Sequence, residues 1–111
     1  MREYKYRFYS FLSKYFIYFD IYEYAPDVIS GGVSEPQQLI GLTDKKNNPI
    51  YEGDIVEWKE ESIIAEVYWS HEDVAFIIKS NNGGSAFMNQ TYMLNFEVIG
   101  NIFENSELLK K

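Results

Sequence analysis

Gly41-Leu-Thr-Asp-Lys-Lys-Asn-Asn-Pro-Ile-Tyr-Glu-Gly-Asp-Ile-Val56 is the stretch on which the reading of this chain turns. Its first half is a polar turn. A second tight turn follows at Glu52-Gly53-Asp54, and the apolar run after it opens a strand. Downstream, short strands are expected at Asp54–Trp58, Ile63–Trp69, Asp73–Lys79, Ser85–Tyr92 and Phe96–Ile102. Ala65, Val67 and Trp69 alternate with residues such as Glu66, the period of a half-buried strand. Ser80-Asn-Asn-Gly-Gly-Ser85 is a clear hairpin turn, because Asn and Gly tolerate positive φ. Five short strands at this spacing point to a small barrel, whose closure would remove exposed sheet edges. Asn105 is expected to cap a brief helical turn at Ser106–Leu109.

Upstream, the chain changes character twice. Eleven of its twenty aromatic residues lie in the first 24 positions. Tyr4, Tyr6 and Phe8 alternate with Lys5, Arg7 and Tyr9, and Tyr15–Tyr22 is rich in strand formers, so an N-terminal β-hairpin is expected. One hairpin can hardly hide that much aromatic surface. Tyr15, Phe16, Tyr18, Phe19 and Tyr22 are therefore candidates for an interface. Between about residues 25 and 37, Pro26, Gly31-Gly32 and Pro36 mark a linker that is ordered only in part, with a short strand at Gln38–Leu42. The whole is expected to be one domain: an aromatic hairpin at 1–24, a linker at 25–37 and a barrel at 38–111.

Charge limits the partners. The net charge is −7, and it is uneven: residues 52–73 hold eight acids against Lys59 alone. An acidic face repels phosphate backbones, so nucleic acid is disfavoured as a partner. A solvated surface that keeps a β-rich protein from self-adhesion explains the acids most simply, and a docking face for a basic partner is the sharper alternative. There are no cysteines, which fits a reducing cytoplasm and excludes disulfides and thiolate metal sites. The uncharged run Tyr15–Phe19 is far too short to span a bilayer, and no secretory leader is evident, so a soluble intracellular protein is expected.

No enzyme motif survives scrutiny. Glu52 and Asp54 share a strand face and could form a carboxylate pair, yet Glu-Gly-Asp before an apolar strand is more simply a turn in which Asp54 bonds nearby amides. His71 is the sole histidine, and one imidazole without cysteine does not build a structural zinc site. Asn81-Asn-Gly-Gly84 lacks the Lys-Ser/Thr of a phosphate loop. Gly100-Asn101 reads as a close-packing point or bulge at a strand end. Neither a cofactor nor a metal is expected. Protein binding and nucleic-acid binding remain as function classes, the second opposed by the charge.

The segment Gln38–Val56 resembles the signature of the YopX family of phage and prophage proteins. That signature runs from a Gly-Leu pair, through an Asp-Lys turn, to Ile-Tyr-Glu-Gly-Asp-Ile-Val. The close, Glu97-Val-Ile-Gly-Asn-Ile-Phe-Glu-Asn-Ser-Glu-Leu-Leu109, is similar to the family's ending, and Tyr4–Tyr9 weakly resembles its opening. Asn48 stands where the family prefers Gly, Ser106 where it has Pro, and Tyr9 nearest a missing Trp. The resemblance implies a mainly β fold with a small SH3-like barrel and a bacterial cytoplasmic setting, and no established activity. It implies that Gly41, Asp44, Tyr51, Glu52, Gly53, Asp54, Gly100 and Asn101 form the shared structural motif. Self-association, with a host protein as the alternative partner, is the expected mode of action.

Overall fold

In the computed structural model, residues 5–20 and 32–110 are described. Tyr22, Tyr4 and the linker up to Gly31 lie outside them. The fold is mainly β. The chain divides into two compact units, 1–39 and 40–111.

In the first unit, strands β1 (Lys5–Ser10) and β2 (Tyr15–Asp20) form an antiparallel hairpin in continuous register from Lys5↔Asp20 to Ser10↔Tyr15. The turn between them closes with the Lys14 N–H donating to the Ser10 carbonyl at 2.7 Å. Lys14 takes a left-handed φ of 61°. Residues 32–34 bond to the hairpin: Tyr9 and Ser34 exchange bonds of 2.9 Å, and Phe11 N–H reaches the Gly32 carbonyl at 2.8 Å. Strand β3 (Gln37–Thr43) begins here, with Gln37 and Gln38 opposite Arg7 and Tyr6.

The second unit takes up β3 at Ile40 and adds β4 (Pro49–Tyr51), a short strand between the two turns. Pro49 sits at the first residue of its strand, where a missing N–H costs least. Next come β5 (Asp54–Trp58), β6 (Ile63–Ser70), β7 (Ala75–Ser80), β8 (Ser85–Phe87) and β9 (Glu97–Asn101). They form one antiparallel sheet in the order β8-β7-β6-β5-β9. The sheet curls into a half-barrel and keeps β8 and β9 as its ends, where a closed barrel was expected.

A second difference lies after β8. The expected strand Ser85–Tyr92 stops at Phe87, and Gln90–Met93 form a short helix, α1. Asn89 explains the switch: its side chain accepts the Tyr92 N–H at 2.8 Å, an N-cap that the strand reading overlooked. At the C-terminal end, Ser106–Leu109 form a single 3₁₀ turn that packs on β6. Asn105 precedes that turn without a side-chain cap. Its Oδ1 accepts instead from the Asn101 N–H at 3.2 Å.

The core of this unit joins Ile50, Val56, Ala65, Val67, Ile78, Met93 and Phe96, all buried. Alternation puts Ala65 and Val67 inward and Glu66 on the opposite face, as the period of two requires. Trp58, Tyr92 and Phe96 close one end in mutual edge-to-face contact at 5.3–5.9 Å.

Candidate functional site

The two recognisable stretches, 38–56 and 97–109, meet in the second unit, and Asp44 is where they join. Its buried carboxylate heads the loop between β3 and β4. Oδ1 accepts the N–H groups of Lys46 at 2.9 Å and Asn48 at 2.8 Å. Oδ2 accepts the Val98 N–H at 2.9 Å and the Asn48 side-chain amide at 3.2 Å. One side chain thus closes its own loop and fastens β9, far along the chain. Lys45 N–H adds a 2.8 Å bond to the Phe96 carbonyl, and Lys46 pairs with Glu97 at 3.0 Å on the surface. Burial by itself would raise the Asp44 carboxyl. The bonds from Val98, Asn48 and Lys46 outweigh burial and hold it below its ordinary 3.8.

The Glu52-Gly53-Asp54 turn is built the same way. Asp54 is buried, and its Oδ2 accepts the Tyr51 N–H at 2.8 Å. Gly53 adopts φ +88°, a region that side chains disfavour. Its N–H donates to the Val67 carbonyl at 2.7 Å, and its own carbonyl accepts the Ile102 N–H at 2.9 Å. The turn therefore ties β6 to the end of β9. Glu52 and Asp54 do not present a matched carboxylate pair: Asp54 is held by the turn, and the Glu52 charge bears on Glu66. Burial raises the Glu66 carboxyl, Lys79 opposes the shift, and Glu52 adds to it.

Gly100 and Asn101 pair with Ile55 and Asp54. The register then jumps to Val98↔Val56, leaving Ile99 as the extra residue of a bulge. A Cβ on Gly100 would lie 2.5–2.8 Å from the Asn105 side chain, closer than atoms can approach. Asn101 is buried, and its Oδ1 accepts the N–H groups of Phe103 and Glu104, each at 3.0 Å. Gly41 has φ +94° with open space around it, so its role is conformational.

In the first unit, Arg7 is buried. Its Nε donates to Gln37 Oε1 at 2.9 Å, and its guanidinium lies 4.0 Å from the centre of the Phe16 ring. Phe19 stacks on both Tyr6 and Phe8, and Phe16 meets Tyr9 edge-on at 5.1 Å. Of the five candidate interface residues, Phe16 and Phe19 are thus partly engaged within the hairpin. Tyr15 and Tyr18 are exposed, and so are Phe11 and Leu12, which the sequence reading had not singled out. Tyr22 lies outside the described residues.

Two concavities in the second unit are further candidate sites. A groove of about 380 Å³ beside the β6–β7 turn is lined by Tyr68, Trp69, His71, Glu72, Asp73 and Ile77. It shares Asp73, Ile77 and Ser85 with a hollow of about 150 Å³ that continues to Phe87. A separate cleft of about 240 Å³ is floored by Ile63, Ile78 and Ala86 beside Tyr92. Among the described residues, no cluster of His, Asp and Glu is arranged to hold a metal ion. No described helix is long and apolar enough to cross a membrane.

Fold and turns define a small mainly β protein whose most recognisable residues hold its second unit together. The model of the YopX protein family matches residues 14–110, nearly the whole chain, and this chain belongs to the YopX family. No curated protein matches it.

Proposed function

We propose that this chain is a non-enzymatic accessory protein of a phage or prophage, active in the bacterial cytoplasm by binding protein through its aromatic hairpin. The occupant is a second copy of the chain or a host protein. One observation carries the reading: Phe11, Leu12, Tyr15 and Tyr18 are all exposed on a single two-stranded hairpin. Isolated exposed apolar residues need no explanation, but several together on so small an element are the mark of an interface. The acids of the shared motif point the same way, since Asp44 commits both its oxygens, and Asp54 its Oδ2, to backbone amides.

The test compares the parent with a Leu12→Ser, Tyr15→Ser, Tyr18→Ser variant. Light scattering measures self-association, and immobilised protein in bacterial lysate measures partner capture. A folded variant that has lost both supports the proposal. A variant that associates and captures as the parent does refutes it, as does retention of nucleic acid that washes off with salt.

A further inference from the structure

The exposed large apolar residues of the described chain fall mainly into two groups. One is the hairpin group: Phe11, Leu12, Tyr15 and Tyr18. The other pairs Phe87, which lines the hollow continuing the groove beside the β6–β7 turn, with Val74, next in sequence to the groove-lining Asp73; they are 63% and 72% exposed. Resting on the reading of the hairpin as the binding element, we propose that these two groups are the halves of a single contact between copies: the hairpin tip of one chain docks in the β6–β8 groove of a second.

Three observations select a second copy as the occupant. The first is charge. The tip carries Lys14 beside Leu12, which is 86% exposed, whereas the groove lining carries Glu72 and Asp73 and neither Lys nor Arg. Lys79 lies over the Tyr68 ring at 5.7 Å and is paired across the ladder with Glu66. A cation set among apolar groups fits an apolar floor with an acidic rim, and that complementarity steers encounter.

The second is the groove's floor. Tyr68, Ile77 and Phe87 are cross-strand neighbours on one face of the sheet, so they form a row leading to the β8 edge. The groove of about 380 Å³ has room for a Leu and part of an aromatic ring. The third is strain. Val74 holds φ +50°, a genuine outlier for a β-branched residue. Such residues persist where the surroundings over-determine them, and they gather at ligand clamps. Val74 is 72% exposed and follows Asp73 of the groove's acidic lining in sequence.

The contact is heterologous, because tip and groove are different surfaces. A pair joined one way still offers one free tip and one free groove, so association proceeds to rings or open chains rather than stopping at a dimer. The measurement is sedimentation of the full chain from low micromolar to sub-millimolar concentration. The average mass is expected to rise beyond two chains, and to fall when salt screens the Lys14–Glu72/Asp73 attraction.

Leu12→Asp and Val74→Asp change exposed residues and should leave the fold intact, as checked by superimposable circular dichroism. Each alone is expected to be monomeric. Mixed in equal amounts, they should form a complex of two chains and no more, since one intact groove then meets one intact tip. A parent monomeric across the range, or a mixture of the two variants that stays monomeric, overturns the inference. If Leu12→Asp abolishes association while Val74→Asp and Phe87→Ser leave it intact, the groove is the wrong partner and the hairpin reading stands. If Leu12→Asp changes nothing, both fall.

Discussion

Replacing Asp44 by Ala removes the acceptor for three backbone N–H groups and one side-chain amide at a single stroke. The N–H groups of Lys46 and Asn48 lie in an exposed loop, where water can replace part of what is lost, so each should cost about 0.5–1 kcal/mol. The Val98 N–H belongs to half-buried β9 and loses a charge-assisted partner, worth about 2 kcal/mol. The expected loss is about 3 kcal/mol, a large share of the roughly 5–15 kcal/mol that keeps a small domain folded. Asp44→Asn should fall between, because its amide keeps one acceptor and turns a donor toward another donor.

The assay is urea unfolding followed by tryptophan fluorescence. Both tryptophans, Trp58 and Trp69, lie in the second unit, and Trp58 packs on Phe96 next to the fastened strand. The pH dependence gives an independent check. The folded carboxyl lies below its ordinary 3.8, so the unfolded chain binds the extra proton in acid. The stabilisation is present above the unfolded value and lost as pH falls through the folded one. Asp44→Asn should flatten that part of the acid limb. A loss under about 1 kcal/mol for Asp44→Ala, with an unchanged acid limb in Asp44→Asn, would refute the reasoning.

Other substitutions probe the same construction. Gly53→Val forces a β-branched residue to φ +88° and should destabilise by more than about 1 kcal/mol; an unchanged midpoint would sink the turn argument. Gly100→Ala should displace Asn105 and cost about 1–3 kcal/mol, with Asn105→Gly restoring part of it in the double variant; equal loss in single and double variants counts against the clash. Glu66 is held above its ordinary range chiefly by burial, so its penalty is absent in acid and full above the folded value. Glu66→Gln should therefore raise the midpoint at neutral pH and not in acid, and a lowered neutral midpoint would reverse the assignment. Val74→Asn should relieve left-handed strain and stabilise by about 0.5–1 kcal/mol in the same unfolding assay, and a destabilised variant would show that Val74 is held by packing.

The sequence alone determined the elements whose signals are local. The turn at 52–54 and the apolar run after it located β5, period-two alternation located β6 and β7 within two residues of where they stand, and the Asn-Gly turn at 80–85 followed from backbone sterics. The hairpin β1–β2 was legible for the same reason. The helix α1 was legible in principle through its Asn89 cap, yet Ala86, Phe87 and Met88 carried the strand pattern past its end. Only the tertiary structure decided what the motif residues do. The tie from Asp44 to Val98 and the grip of the Gln90 amide on both backbone groups of Thr43 join residues distant in sequence. A bond of that kind leaves no periodicity behind. The left-handed Val74 and the half-open sheet likewise left no signal in the sequence, since side-chain preference disfavours the first and local pattern is silent on closure; the close approach at Gly100 was legible there, and only the fold supplied its partner, Asn105.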